Sequence, residues 1–134
     1  MVAAVKAQHA DIAIDTIAPL IGMLRSGDLR ALAVTSATRF AGLPDLPTVK
    51  EDGFPDYDVS VWNGLAAPAG TPRAVIDQLN REINAVLAMP DVQQQFLDLG
   101  ITARGGRPED LAAIMVKEIA RWELVIAKSK IEKQ

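Results

Sequence analysis

The chain has no cysteine, which excludes disulfides, thiolate nucleophiles and cysteine-bound metals together. It has one histidine, His9, so a nucleophile–histidine dyad would have to use that residue, and a site built from several histidines is excluded. No apolar run reaches the ~18 consecutive positions that a membrane helix requires. The opening segment MVAAVKAQHAD carries no basic region followed by a long apolar stretch, so no signal peptide is read there. No basic stripe is present, and nucleic acid is not an expected partner. The patterns G-x-G-x-x-G, G-x-x-x-x-G-K-[ST] and G-x-S-x-G are all missing, as is the calcium-loop spacing. Neither a cofactor nor a metal is therefore expected.

What is there suits a domain of ordinary size: 134 residues, 49% of them hydrophobic, enough for a core. The net charge of −3 is unevenly spread. Residues 1–50 carry +1, residues 51–60 carry −4 through Glu51, Asp52, Asp56 and Asp58, and the remainder is neutral. The acidic stretch reads as a solvated loop. An anionic ligand would have to be held by local groups, because the protein as a whole offers it no attractive field.

Residues 2–8 read as the last turns of a helix whose beginning is missing, which suggests a piece of a longer protein. ADIAI at 10–14 and LRALAVTS at 29–36 are apolar runs of strand length. Between them, IAPLIGMLRSG suggests a helix with Asp15 or Thr16 as N-cap and Gly27 as C-cap. Strand, helix, strand over so short a distance predicts a parallel βαβ unit. Thr48 and Glu51 have capping-box spacing for a short helix ended by Gly53. A longer strand is expected over 57–67. Pro68-Ala69-Gly70 then turns the chain, with Thr71 as cap and Pro72 at the first position of a helix reaching Leu87. A shorter helix starts at Pro90 and ends near Gly100, and a brief strand is expected over 101–104. The last helix starts at Pro108 and has Leu111, Met115, Ile119, Trp122 and Ile126 as its buried stripe. The class is α/β, with a joint near the strand 57–67.

Few residues are candidates for chemistry. His9 reads as a surface or packing histidine. Gly105-Gly106 before a helix reads as a turn, or as a backbone cradle for an anion. Asp15 reads as an N-cap, or as a general base. Trp122 belongs to a helical stripe, whereas Trp62, beside Asn63, suits either packing or the wall of a small-ligand pocket. Ligands of parallel α/β folds bind beyond the carboxyl ends of strands. Strand 10–14 ends at Asp15-Thr16, where a helix is expected at once, so free N–H groups could receive a carboxylate there.

The motifs SGDLRALAVTS (26–36), Arg39, LPDLPTV (43–49) with Glu51 and Gly53, WNGL (62–65), APAGTP (67–72) and the final helix with Trp122 occur in that order. In this order and spacing the chain resembles, over essentially its whole length, the C-terminal part of the tripartite tricarboxylate transporter receptors, the Bug-type periplasmic solute-binding proteins. The resemblance implies part of a two-lobed type II periplasmic-binding-protein-like fold, with parallel-sheet βαβ units and flanking helices. It implies that residues 1–58 belong to the second lobe. Residues 59–134 would supply a crossover strand and helices returning to the first lobe. It implies no catalysis, a periplasmic location, a small carboxylate ligand or related metabolite, and a membrane permease of a tripartite transporter as partner. Asp15, Thr16 and Ile17 would form a binding loop, and Trp62 and Asn63 would lie near the cleft. Two departures stand out. Family members are more than twice as long, and they often have an aromatic residue at the position of Asn63 and glycine near Gln8. A stand-alone interaction domain forming a homodimer is the alternative, and a small enzyme with Asp15 as base is a remote one.

Overall fold

The structure is a computed structural model describing residues 2–129 and 131. Met1, Lys130 and residues 132–134, at the outer ends of the two expected lobe segments, lie outside the described residues. Five helices follow in order: α1 (Val2–Lys6), α2 (Ile21–Ser26), α3 (Arg73–Leu87), α4 (Pro90–Asp98) and α5 (Pro108–Ser129). The chain divides into two compact units. One holds the residues up to Asn63 together with Met89–Ala103, the other Gly64–Ala88 together with the residues from Arg104 on.

The first unit is built around Ile21, Val34 and Phe40, with Ile17, Leu43, Leu46 and Leu97 packed against them. Burying each large apolar side chain contributes about 1.5–3 kcal/mol, so this small cluster is the main apolar contribution of the unit. Thr48 is the most buried residue, 2% exposed. Its surroundings are closed by an isolated parallel bridge between Val34 and Thr48. In that bridge the Val34 N–H donates to the Pro47 carbonyl and the Val49 N–H donates to the Val34 carbonyl, both at 2.9 Å.

This bridge is the only β pairing among the described residues; the segments 10–14, 29–36, 57–67 and 101–104 otherwise run without ladders. The expected strands are thus corrected to irregular segments. Apolar runs specify burial, but a strand exists only when a neighbouring backbone exchanges hydrogen bonds with it. Ile12 and Ile14 are 66% and 74% exposed, as are Val61 and Leu65 to a similar degree, so these runs have neither ladder nor cover among the described residues.

Helix ends follow local chemistry in most places. α1 ends in a Schellman arrangement: the His9 N–H donates to the Ala4 carbonyl and the Gln8 N–H to the Val5 carbonyl. Gln8 therefore takes φ 59°, the left-handed region, the one non-glycine residue to do so among the described residues. α2 ends at Gly27 with φ 79° as expected, but it begins at Ile21, not beside Asp15. Pro19 cannot donate an N–H, and the chain spends 17–20 in a turn closed by the Leu20 N–H on the Ile17 carbonyl. Asp15 and Thr16 are therefore not its caps. Thr71 does not cap α3 either; its hydroxyl donates to the Pro68 carbonyl at 2.8 Å and closes the PAGT turn, leaving Pro72 as the residue before the helix. α4 carries Pro90 at its start, and α5 begins at Pro108, as expected.

The second unit holds α3 and α5. Arg73 pairs with Asp77 and with Glu109, each at 2.8 Å, so the first turns of the two helices are tied. The expected buried stripe of α5 is corrected: Met115, Ile119 and Trp122 are exposed, while Leu111 and Ile126 are half-buried. Helical periodicity names a face but does not provide what covers it.

Candidate functional site

Asp15, Thr16 and Ile17 form an extended loop entering the 17–20 turn. Asp15 and Thr16 are exposed, whereas Ile17 is anchored on the core of the first unit. The anchor on one side and the turn on the other hold the loop backbone in place. The Thr16 N–H donates to Asp15 Oδ1 at 2.8 Å. Among the described residues the N–H groups of Ile17 and Ala18 have no hydrogen-bond partner. Behind the loop lies Gly100, with φ 78°; a Cβ there would stand 3.0 Å from Ala18 N and from Ile17 Cγ2, so the close approach requires glycine.

Trp62 and Asn63 lie in the same unit, on an irregular stretch in which every residue from Ser60 to Gly70 is exposed. Trp62 is 43% exposed. No hydrogen bond or ion pair among the described residues joins Trp62 or Asn63 to the Asp15–Ile17 loop.

A second feature of this unit was legible only in part. Arg39 clasps Glu51: Nε lies 3.0 and 3.1 Å from the two carboxylate oxygens, and Nη2 lies 2.9 Å from Oε1. Arg39 Nη1 donates to the Pro44 carbonyl at 3.0 Å. Glu51 also completes the capping box, taking the Thr48 N–H at 2.7 Å while its own N–H donates to Thr48 Oγ1 at 3.0 Å. No α-helix follows; the box closes a run of turns ended by Gly53 at φ 107°. The Arg39 guanidinium, followed by the Thr48 N–H, pulls the Glu51 carboxyl down to about 2. A concavity of about 500 Å³ is lined by Ala37, Thr38, Arg39, Thr48, Lys50 and Glu51. Because Arg39 and Glu51 neutralise each other, the clasp is structural in character and does not present an open cation to an anionic ligand. The T-x-x-E spacing announces half of it. The reach of Arg39 across twelve positions has no local signature.

In the second unit, Gly105-Gly106 is not an open cradle. The Gly106 N–H donates to Asn84 Oδ1 at 2.9 Å, and the Gly106 carbonyl accepts from Asn80 Nδ2 at 2.8 Å and Asn84 Nδ2 at 3.0 Å. These groups bind the turn to α3, so the anion reading is corrected. His9 is exposed, and among the described residues no group of His, Asp and Glu is arranged to hold a metal ion. No helix among the described residues is long and apolar enough to cross a membrane.

The chain matches parts of solved periplasmic binding proteins. It matches the R. palustris Rpa4515 protein, solved with adipate, at 36% identity and a TM-score of 0.75, over 85% of this chain and 38% of that one. The periplasmic binding protein BugD matches at 37% identity and a TM-score of 0.73, over 86% and 39%. MatC (Rpa3494) from Rhodopseudomonas palustris, solved with bound malate, matches at 36% identity and a TM-score of 0.66, over 82% and 38%. Among curated sequences, a UPF0065 protein from the tcbD-tcbE intergenic region of Pseudomonas sp. (strain P51) is 40% identical over 126 residues, 93% of this chain and 38% of that protein. BugT of Bordetella pertussis is 34% identical over 116 residues, 87% of this chain and 36% of that protein.

The model of the tripartite tricarboxylate transporter family receptors matches residues 1–131, and the chain belongs to that family. The chain spans less than two fifths of the length of these relatives. The fold class is part of an α/β periplasmic-binding-protein fold, here helix-rich and with little β pairing.

Proposed function

We propose that this chain is part of a periplasmic solute receptor that binds a small carboxylate and delivers it to the membrane permease of a tripartite transporter. The observation that carries the reading is family membership together with relatives, 36% identical to this chain, that were solved with adipate and with malate. On this reading the Asp15-Thr16-Ile17 loop presents its backbone to the carboxylate. The unpartnered N–H groups of Ile17 and Ala18 are donors of the right chemistry, since charge-assisted bonds to backbone N–H groups are short and strong. Asp15 turns its own carboxylate onto the Thr16 N–H and screens that donor from an anion; displacing it is a step the ligand must accomplish. Trp62 and Asn63 supply an aromatic wall and an amide that fix the ligand's orientation. Residues 1–58 are assigned to the second lobe and residues 59–134 to the crossover and the return to the first.

The test is a chimera in which this chain replaces the matching 38% of the Rpa4515 receptor. Calorimetry against a panel of mono-, di- and tricarboxylates, adipate and malate included, should register binding of at least one member. Trp62→Ala and Asn63→Ala should each weaken it about tenfold, equivalent to ~1.4 kcal/mol. A chimera that unfolds cooperatively yet responds to no member of the panel would sink the reading.

A further inference from the structure

We infer that Gly100, at the end of α4, is a positioning residue for carboxylate binding: the backbone of the loop carrying the Ile17 and Ala18 N–H groups rests directly on it. The inference depends on the reading of Asp15-Thr16-Ile17 as the binding loop and adds to it the residue that sets the loop's position. Gly100 closes α4 as a Schellman glycine. Its N–H donates to the Leu97 carbonyl at 3.0 Å, and the Ile101 N–H donates to the Phe96 carbonyl at 2.9 Å. That role accounts for φ 78°, but not for the absence of a side chain, because asparagine also serves at such a cap.

The contacts around it supply the second requirement. Gly27, Gly53, Gly70 and Gly100 all take positive φ. A Cβ on Gly27, Gly53 or Gly70 would meet nothing within 4 Å. A Cβ on Gly100 would stand 3.0 Å from Ala18 N, Ala18 Cα and Ile17 Cγ2, so a neighbour would have to move by a few tenths of an ångström. Two of those three atoms are loop backbone, and Ala18 N carries one of the two free donors. The end of α4 is held by its Schellman bonds, by Leu97 on the apolar cluster and by Asp98 Oδ1, 3.2 Å from Arg25 Nη2. The loop has Asp15, Thr16 and Ala18 exposed, so it is the side that yields. Hydrogen bonds to a carboxylate are short and directional, and a shift of that size at the donors is enough to weaken them.

The experiment titrates the Rpa4515 chimera and its variants by calorimetry against the same panel of carboxylates, adipate and malate included. Gly100→Ala should weaken the member that the wild type binds most tightly by about tenfold or more. Gly27→Ala is the control: it puts the same strain on a left-handed helix cap in the same unit, with no neighbour to displace. It should lower the unfolding midpoint and leave the affinity unchanged. Gly100→Asn suits the cap better but carries the same Cβ, and it should weaken binding as Gly100→Ala does. In isotope-labelled full chain without ligand, the Ile17 and Ala18 amide resonances should shift in both Gly100 variants and stay in place in Gly27→Ala. The wild-type chain should show a nuclear Overhauser contact between Gly100 Hα and the Ile17 γ2 methyl. Wild-type affinity in a folded Gly100 variant, an equal loss of affinity in Gly27→Ala, or the absence of that contact would overturn the inference and leave the carboxylate reading standing. A folded wild-type chimera that binds no member of the panel would remove both, so the two failures are told apart.

Discussion

Glu51 joins Arg39 and the Thr48 backbone through one carboxylate, with Arg39 reaching on to the Pro44 carbonyl, and the ionisation of Glu51 is therefore coupled to folding. Its carboxyl falls from the ordinary 4.5 to about 2 in the folded chain, with the Arg39 guanidinium as the first cause. A depressed carboxyl contributes stability that is complete above its unfolded value and lost as the pH falls through its folded value. The window here is about pH 4.5 down to 2. Asp110 behaves alike, drawn from 3.8 to about 2 by the Arg107 side chain and then its N–H. The midpoint of thermal unfolding should therefore fall across this window, and Glu51→Gln should make that fall shallower while lowering stability at pH 7. An identical pH slope in the variant would show the clasp to be uncoupled from folding. Gln8 gives a second prediction at this scale. An L-residue in the left-handed region costs about 1 kcal/mol that glycine does not, so Gln8→Gly should stabilise the chain by ~0.5–1 kcal/mol in urea unfolding. In the core, Phe40→Ala should cost about 3–5 kcal/mol, because the ring fills the space between Gly42 and the Val34 cluster.

At the scale of elements, α3, α4 and α5 were legible because their starts carry proline and their apolar spacing persists for several turns. α2 was legible at its end and not at its beginning. Gly27 in the left-handed region stops it by local chemistry, while the delay from Asp15 to Ile21 depends on how Ile17 reaches the core. The turn 105–107 is set by α3. Asn80 and Asn84 clamp both backbone groups of Gly106, and a Cβ on Gly105 would sit on Asn84 Oδ1. Asn84→Ala should cost about 1 kcal/mol and speed hydrogen exchange at the Gly106 amide. Gly105→Ala should destabilise through the collision with Asn84, and Gly105→Ala combined with Asn84→Ala should lose less than the sum of the two. Strict additivity would separate the residues energetically.

For the whole molecule, the open faces and unpaired apolar segments dominate. Ile12, Ile14, Val61 and Leu65 lie exposed on runs whose composition suits buried strands, and Met115, Ile119 and Trp122 of α5 lie exposed as well. On the proposed reading, the chain holds only a share of the donors of the carboxylate site. The chain by itself should accordingly bind carboxylates more weakly than micromolar, that is with less than about 8 kcal/mol. Micromolar binding in a calorimeter by the isolated chain would contradict this. The sequence by itself determined the family, the α/β class, the three long helices and the capping chemistry at Gly27 and at Thr48 with Glu51. All of these rest on contacts within a few positions or on motifs read in order. Only the tertiary structure decided that the expected strands form no ladder beyond the Val34–Thr48 bridge among the described residues, and that Arg39 closes on Glu51. It also decided that Gly106 is clamped by two asparagines and that the α5 stripe is open. A ladder, a long-range ion pair and a covered face each need a second segment brought alongside. Periodicity names the surface that seeks one, and only the folded chain says whether it is there.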